Sequence, residues 1–434
     1  MIDFHSVIVV AKDGLILPDP NSGDHPTAGS GGSEEMTFGY FLAPLNSRKQ
    51  FLPLFHGSGY PMTFFFSRFA VITFLAFAFP AMPMPAQDNT RIILPPDGQP
   101  ADMNTPVQVF ICLGQSNMVG LGKVTGGDIS LEHAVKEKKK YQYLVDDAGA
   151  WTERKDVRFV QYMSGKGPLK NEWMSVTAGN LGPEYGIGHP LGNAIDAPVM
   201  ILKCCIGNRS LGWDLLPPGS ERYRFVAEQA IGKDEKPFVY AGYKDKPESW
   251  VMDAEKGLET EPAPWLDKNG KPIDWYAGKQ WDSDIGDAKK ALADLEKHYP
   301  GAKGYEVAGF FFWQGEKDAG NPGHADRYET NLVHFIKSLR REFNAPNAKF
   351  VLATMGESVK GSGGNGGRIL QAQLAVDGTT GTYPEFKGNV ATIYTNPMAQ
   401  GGSGNGHYGR KAEVYMDVGE AMGQAMVELL KEAK

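Results

Sequence analysis

Five short apolar runs, at residues 107–113, 198–206, 307–313, 349–355 and 390–394, recur along the chain. Gly-rich or helically patterned segments separate them. Apolar runs of this length suit strands buried on both faces, and alternation with helices is how a parallel sheet is built. Helical patterns fall at about 183–193, 284–298, 326–343 and 411–432. The last is the clearest, with Val414, Val418, Ala421, Met422, Ala425, Met426 and Leu429 on one stripe. The pattern predicts an α/β fold in three layers, α/β/α, doubly wound around a parallel sheet.

The stretch of about 211–283 interrupts this alternation. It carries Pro217-Pro218-Gly219, many charges, and aromatics that include Trp213, Tyr223, Tyr240, Trp250, Trp275 and Trp281. So long an insertion suggests a binding loop or lid. Two readings of the aromatics stand side by side, a surface for stacking on sugar rings and a small core of the insertion's own. The run 360–367, KGSGGNGG, reads as a flexible loop; it lacks GxxxxGK[ST] and is not expected to cradle a nucleotide.

The first 86 residues differ from the rest. Residues 1–61 show no sustained periodicity. Met62 then opens a pattern of one Arg, an apolar run from Phe69 to Phe79, and a small-residue exit ending at Ala86. These are the parts of a secretory signal peptide at 62–86, and the run is shorter than the ~20 residues of a membrane span. We expect export, secreted or periplasmic, with no stable membrane insertion after processing. Residues 1–61 are then either a non-native extension of the reading frame or a disordered leader.

With a net charge of −7 and no basic cluster beyond 136–140, nucleic acid is not an expected partner. The three cysteines, Cys112, Cys204 and Cys205, fall in apolar strands and read as small hydrophobes. No CxxC pattern occurs, so no structural zinc is expected, and the serine chemistry considered below needs no metal or organic cofactor. The oligomeric state stays open.

Chemistry is concentrated where strands end. The first apolar strand runs into Gly114-Gln115-Ser116-Asn117-Met118, the third into Trp313-Gln314-Gly315-Glu316-Lys317-Asp318, and Gly406-His407-Tyr408 precedes the last helix. Parallel sheets place their sites at the carboxyl ends of strands. A serine becomes a useful nucleophile only with a base to take its proton and donors for the oxyanion. Ser116 is the candidate nucleophile and His407 the candidate general base and acid. The serine early and the histidine late in the chain, with GxSxM in place of GxSxG, argue against the α/β-hydrolase arrangement.

Taken with Gly182-Pro183-Glu184, these blocks resemble the sialate O-acetylesterase and acetylxylan-esterase branch of the SGNH hydrolases over about residues 105–432. The resemblance implies a flavodoxin-like SGNH domain, an acetyl-enzyme mechanism and a substrate of acetylated carbohydrate, either polysaccharide or sialic acid. It further implies oxyanion donors from the backbone of Ser116, the backbone of Gly182 and the side chain of Gln314. Gln115, Asn208 and Arg209 are candidate substrate contacts, Arg209 for an anionic sugar.

The chain departs from the wider pattern at one point. Many SGNH hydrolases carry an Asp three residues before the His, and here that residue is Gly404. Glu316 is the favoured orienting acid, Asp318 the alternative, and a dyad with no acid the third option. Glu316 can equally serve as an acceptor for the turn around Ser116. Two rival functions go with the same machinery, a lipase or thioesterase and a non-catalytic glycan-binding protein.

Overall fold

The computed structural model describes residues 101–163, 167–227, 236–252, 263 and 266–432. The chain divides into two units, 1–90 and 91–434. The expected leader and signal peptide lie outside the described residues. Seven strands form the main sheet: β1 Val107–Gly114, β2 Glu153–Tyr162, β3 Pro168–Ser175, β4 Val199–Cys204, β5 Tyr305–Trp313, β6 Lys349–Ala353 and β7 Val390–Ile393. Their order is β7-β6-β5-β1-β4-β2-β3. All neighbours are parallel except the pair β2–β3.

The five apolar runs are β4-β1-β5-β6-β7, which in chain order is the 2-1-3-4-5 winding of flavodoxin-like sheets. The antiparallel edge departs from the all-parallel expectation. Residues 163–167 are too few for a crossover, so β3 can return only antiparallel to β2.

The helices used below are α1 Ser116–Val119, α2 Glu184–Ala194, α3 Lys279–Ala293, α4 Glu316–Ala319, α5 Pro322–Glu342, α6 Gly364–Ala375 and α7 Ala412–Lys431. Side chains of β1 alternate between two cores. Phe110 and Cys112 join Tyr185 and Ile187 of α2 and Met416, Val418 and Met422 of α7. Val109, Ile111 and Leu113 join Ile285 of α3, Leu332 and Phe335 of α5 and Ile369 of α6. These are the two outer layers of the three-layer fold. Each such buried aliphatic or aromatic side chain contributes ~1.5–3 kcal/mol. The three cysteines are buried and unpaired, as small hydrophobes are.

Helix α2, EYGIGHPLGNA, is a poor helix former, with three glycines and Pro190 inside it. Tertiary packing holds it. A Cβ on Gly186 would lie 2.5 Å from the Glu420 backbone N, and one on Gly423 would lie 2.9 Å from the Ile187 carbonyl. Glycine is what lets the backbones of α2 and α7 cross this closely. The flexible loop expected at 360–367 is shorter than the sequence suggests, because α6 already begins at Gly364. Packing of Ile369, Leu370 and Ala372 draws that glycine-rich start into the helix.

The insertion forms a small antiparallel sheet of Tyr223–Ala227, Lys236–Tyr240 and Ser249–Val251. It carries its own apolar cluster of Leu216, Val239, Ala241, Trp250 and Ala277. Of its aromatics, Trp250 is a buried member of that cluster and Trp213 packs against it. Tyr223 stacks on Tyr240 at 5.1 Å, and Trp281 belongs to α3 and the main core.

Candidate active site

The winding reverses between β1 and β5, which opens a crevice at their carboxyl ends. Gly114 closes β1 with φ +146°, and a Cβ there would overlap the Trp313 carbonyl at the end of β5. Only glycine lets the two strand ends meet this closely. Directly after it, Gln115 donates its backbone N–H to that carbonyl at 3.2 Å, and Ser116 opens α1.

A buried ion pair fixes the far end of α1. Lys203 of β4, 1% exposed, donates to the Val119 carbonyl at 3.0 Å and to Glu184 Oε2 at 2.6 Å. The ammonium thus sits at the carbonyl end of the serine's helix, where a cation is favoured.

His407 arrives on a left-handed turn. His407, Tyr408, Gly409 and Arg410 have φ of 51°, 51°, 61° and 62°. Each non-glycine residue there costs ~1–2 kcal/mol. Contacts on every side offset this. The Tyr408 ring is buried against Trp313, with centroids 5.7 Å apart, and its hydroxyl accepts the Gly356 N–H at 3.2 Å. Arg410 donates to the Leu121 carbonyl at 3.1 Å and to Asn180 Oδ1 at 2.6 Å. The result is His407 Nε2 at 2.9 Å from Ser116 Oγ. Burial, and then the Arg410 charge, hold the imidazole below its ordinary pKa of 6.5, so it is neutral and able to accept a proton at pH 7.

Glu316 does not meet the imidazole. No hydrogen bond joins it to His407 among the described residues. Its carboxyl takes the Gln115 amide on one oxygen and the Asn117 amide, at 2.8 Å, on the other, so it braces the turn around Ser116. Asn117 also donates to the Gly404 carbonyl at 3.1 Å, while the Gly404 N–H donates to Glu357 at 2.8 Å. A Cβ on Gly404 would overlap Glu316 Oε1. The space an Asp would need at 404 is thus filled by Glu316. Burial first, and then the charge of Glu357, push the Glu316 carboxyl up to about 7.

Two expected oxyanion donors face elsewhere. The Gly182 N–H donates to the Glu184 carboxylate at 3.0 Å. The Gln314 side chain, fully buried, donates to the Arg209 carbonyl at 2.9 Å and to Asp318 Oδ2 at 2.5 Å, while its oxygen accepts from Tyr328 at 2.9 Å. Asp318 is equally engaged, taking the N–H groups of Leu211 and Gly212 at 2.8 Å. It therefore anchors the insertion. Gly207 is the glycine that approaches the serine: a Cβ on it would lie 3.5 Å from Ser116 Cβ. Asn208 follows it with φ +57°, a conformation Asn tolerates well.

Arg209 turns away from the site. Its guanidinium lies 4.5 Å over the Trp275 ring, 4.0 Å from Asp214, and donates to Gln280 at 3.3 Å. The cavity itself, about 680 Å³, is lined by Gln115, Ser116, Asn208, Glu248, Lys317 and His407, among others. Among the described residues no cluster of three or more His, Cys, Asp or Glu could hold a metal ion. Sequence reasoning missed Lys203, Glu184's role, Gly207's approach and Glu248. Of these only Lys203 carried a signal, as a charge inside an otherwise apolar strand.

Residues 267–428 match the family model described as carbohydrate esterase, sialic acid-specific acetylesterase. Among solved structures, a protein of Arabidopsis thaliana is similar at 14% identity, with 74% of this chain and 98% of that chain covered and a TM-score of 0.41. A carbohydrate acetylesterase from Xanthomonas citri is similar at 15% identity, 75% and 57% coverage and a TM-score of 0.40. NanS is similar at 12% identity, 58% and 68% coverage and a TM-score of 0.30. No curated protein matches the chain. The family match bears out the resemblance drawn from the motifs.

Proposed function

We propose that this carboxylic ester hydrolase, a carbohydrate esterase by its family match, removes O-acetyl groups from a glycan through an acetyl-enzyme. Ser116 Oγ attacks the acetyl carbonyl while His407 Nε2 takes its proton. The imidazolium then protonates the departing sugar oxygen. Water, deprotonated by the same nitrogen, hydrolyses the acetyl-enzyme and frees the serine. The oxyanion lies against the N–H of Ser116, which as the first residue of α1 has no intrahelical acceptor, and against the Gly207–Asn208 backbone beside it. Among the described residues no carboxylate hydrogen-bonds the ring, which makes the pair a dyad.

The observation that carries this reading is the 2.9 Å pairing of Ser116 and His407 at the mouth of a cavity where the sheet reverses. The test is acetate release by the full chain and its Ser116→Ala variant, from acetylated xylan and from O-acetylated sialic acid. We expect the variant to lose roughly 10⁴-fold or more in kcat on whichever substrate the wild type turns over. Wild-type rates in a folded variant would overturn the mechanism. The Met62 pattern supports export, and the N-terminal sequence of the mature protein from its native host would check it: a start near residue 87 is expected.

A further inference from the structure

The cavity that opens on the dyad is also lined by Glu248, which comes from the insertion and not from the sheet. One of its oxygens is held. Oε1 accepts from Asn321 Nδ2 at 3.2 Å and lies 3.3 Å from His324 Nε2. Asn321 is itself fixed, since its own oxygen accepts from Tyr240 at 2.7 Å and caps the start of α5. His324 adds no charge to offset the carboxylate, because burial lowers it to about 3. The other oxygen, Oε2, accepts no hydrogen bond from any described residue, and the side chain is 25% exposed. Nearby, exposed Lys317 also lines the cavity, and its ammonium makes no hydrogen bond or ion pair among the described residues.

A rigidly held carboxylate with an unused acceptor is suited to a ligand rich in O–H donors. A ligand carboxylate placed against that oxygen would meet like charge. Burial raises the Glu248 carboxyl pKa, and the cavity's cation, Lys317, already acts on it in the lowering direction. Arg209, which the sequence suggested for an anionic sugar, is packed over Trp275 and outside the cavity. Resting on the esterase reading above, we propose that Glu248 is the specificity-determining residue. Its free oxygen accepts hydrogen bonds from ring hydroxyls of an uncharged sugar whose acetyl ester reaches Ser116, and Lys317 donates to a neighbouring sugar oxygen. The insertion thereby selects neutral acetylated sugars over acidic ones.

The experiment compares the full chain with its Glu248→Ala and Glu248→Gln variants on three esters. These are acetylated xylan fragments, O-acetylated sialic acid, and 4-nitrophenyl acetate, which has no sugar. In Glu248→Ala, kcat/KM on the neutral sugar ester is expected to fall ~10–100-fold, mainly through KM. The fall on 4-nitrophenyl acetate is expected to be at least about tenfold smaller, with Glu248→Gln in between on the sugar because its amide oxygen still accepts. Equal losses on all three esters, no loss on the neutral sugar, or a wild type that prefers the sialate would overturn the proposal. A wild type that cleaves 4-nitrophenyl acetate but neither sugar ester would overturn it and leave the esterase standing. Failure of the folded wild type on all three would overturn the esterase reading itself.

Discussion

Beside the dyad, Glu316 departs clearly from its solution behaviour. Folded, it keeps its proton up to about pH 7, whereas an unfolded chain releases it near the ordinary 4.5. Between those values the folded state binds more protons, so stability falls as pH rises, by up to ~3 kcal/mol in total. A Glu316→Gln variant has no such proton to lose. Its stability relative to wild type, measured by denaturant midpoint at pH 5 and pH 8, is therefore expected to shift in its favour at the higher pH. An unchanged difference would show that Glu316 titrates normally. The same side chain explains Gly404. Residue 404 lacks the Asp of related patterns because Glu316 already fills the space beside it. That exchange was half legible in the sequence: the absent Asp could be seen, but not which carboxylate had moved in. Nor could the partners of Gln314 be read, since its amide is taken by the Arg209 carbonyl, 105 residues away.

At the level of elements, the five central strands were legible because each is buried on both faces and so must be an apolar run. Strand β2 was not, because ERKDVRFVQY mixes charges into its pattern. Arg154 and Asp156 are buried in it as an ion pair that only the folded structure reveals. The α2–α7 crossing is the clearest case of tertiary contact overriding propensity. Gly419 packs so close to the Pro183 carbonyl that no Cβ fits between them. Pro183 and Glu184 lead into α2 and the Lys203 pair behind the serine, so pressure at this crossing reaches the site. A Gly419→Val change is expected to cost ~1–3 kcal/mol through overpacking. It is also expected to lower kcat on a small acetyl ester. Thermal unfolding and esterase rates on the same sample would check both, and a loss of stability with no loss of rate would uncouple the crossing from the serine.

Across the whole molecule, two large apolar clusters face the two sides of the sheet while a third, small one belongs to the insertion. A core and a sugar platform need the same aromatic side chains, so the choice between them could not be read from the residues alone. Trp250 is 9% exposed in the small cluster, with Arg222 over its ring at 5.0 Å. A Trp250→Ala change is expected to cost ~3–5 kcal/mol locally. Amide exchange should speed up in Tyr223–Ala227, Lys236–Tyr240 and Ser249–Val251 while β1, β5 and β6 keep their protection. Uniform loss of protection would mean that the insertion and the sheet unfold as one. The pairing of Ser116 with His407 spans 291 residues of chain, and this has a consequence for synthesis. A nascent chain carries its serine long before its histidine, so under the proposed dyad no partial product can cleave an ester by this route. On the proposed mechanism, reactivity waits until the segment carrying His407 has been made and has met Ser116, which leaves the growing polypeptide chemically silent until then.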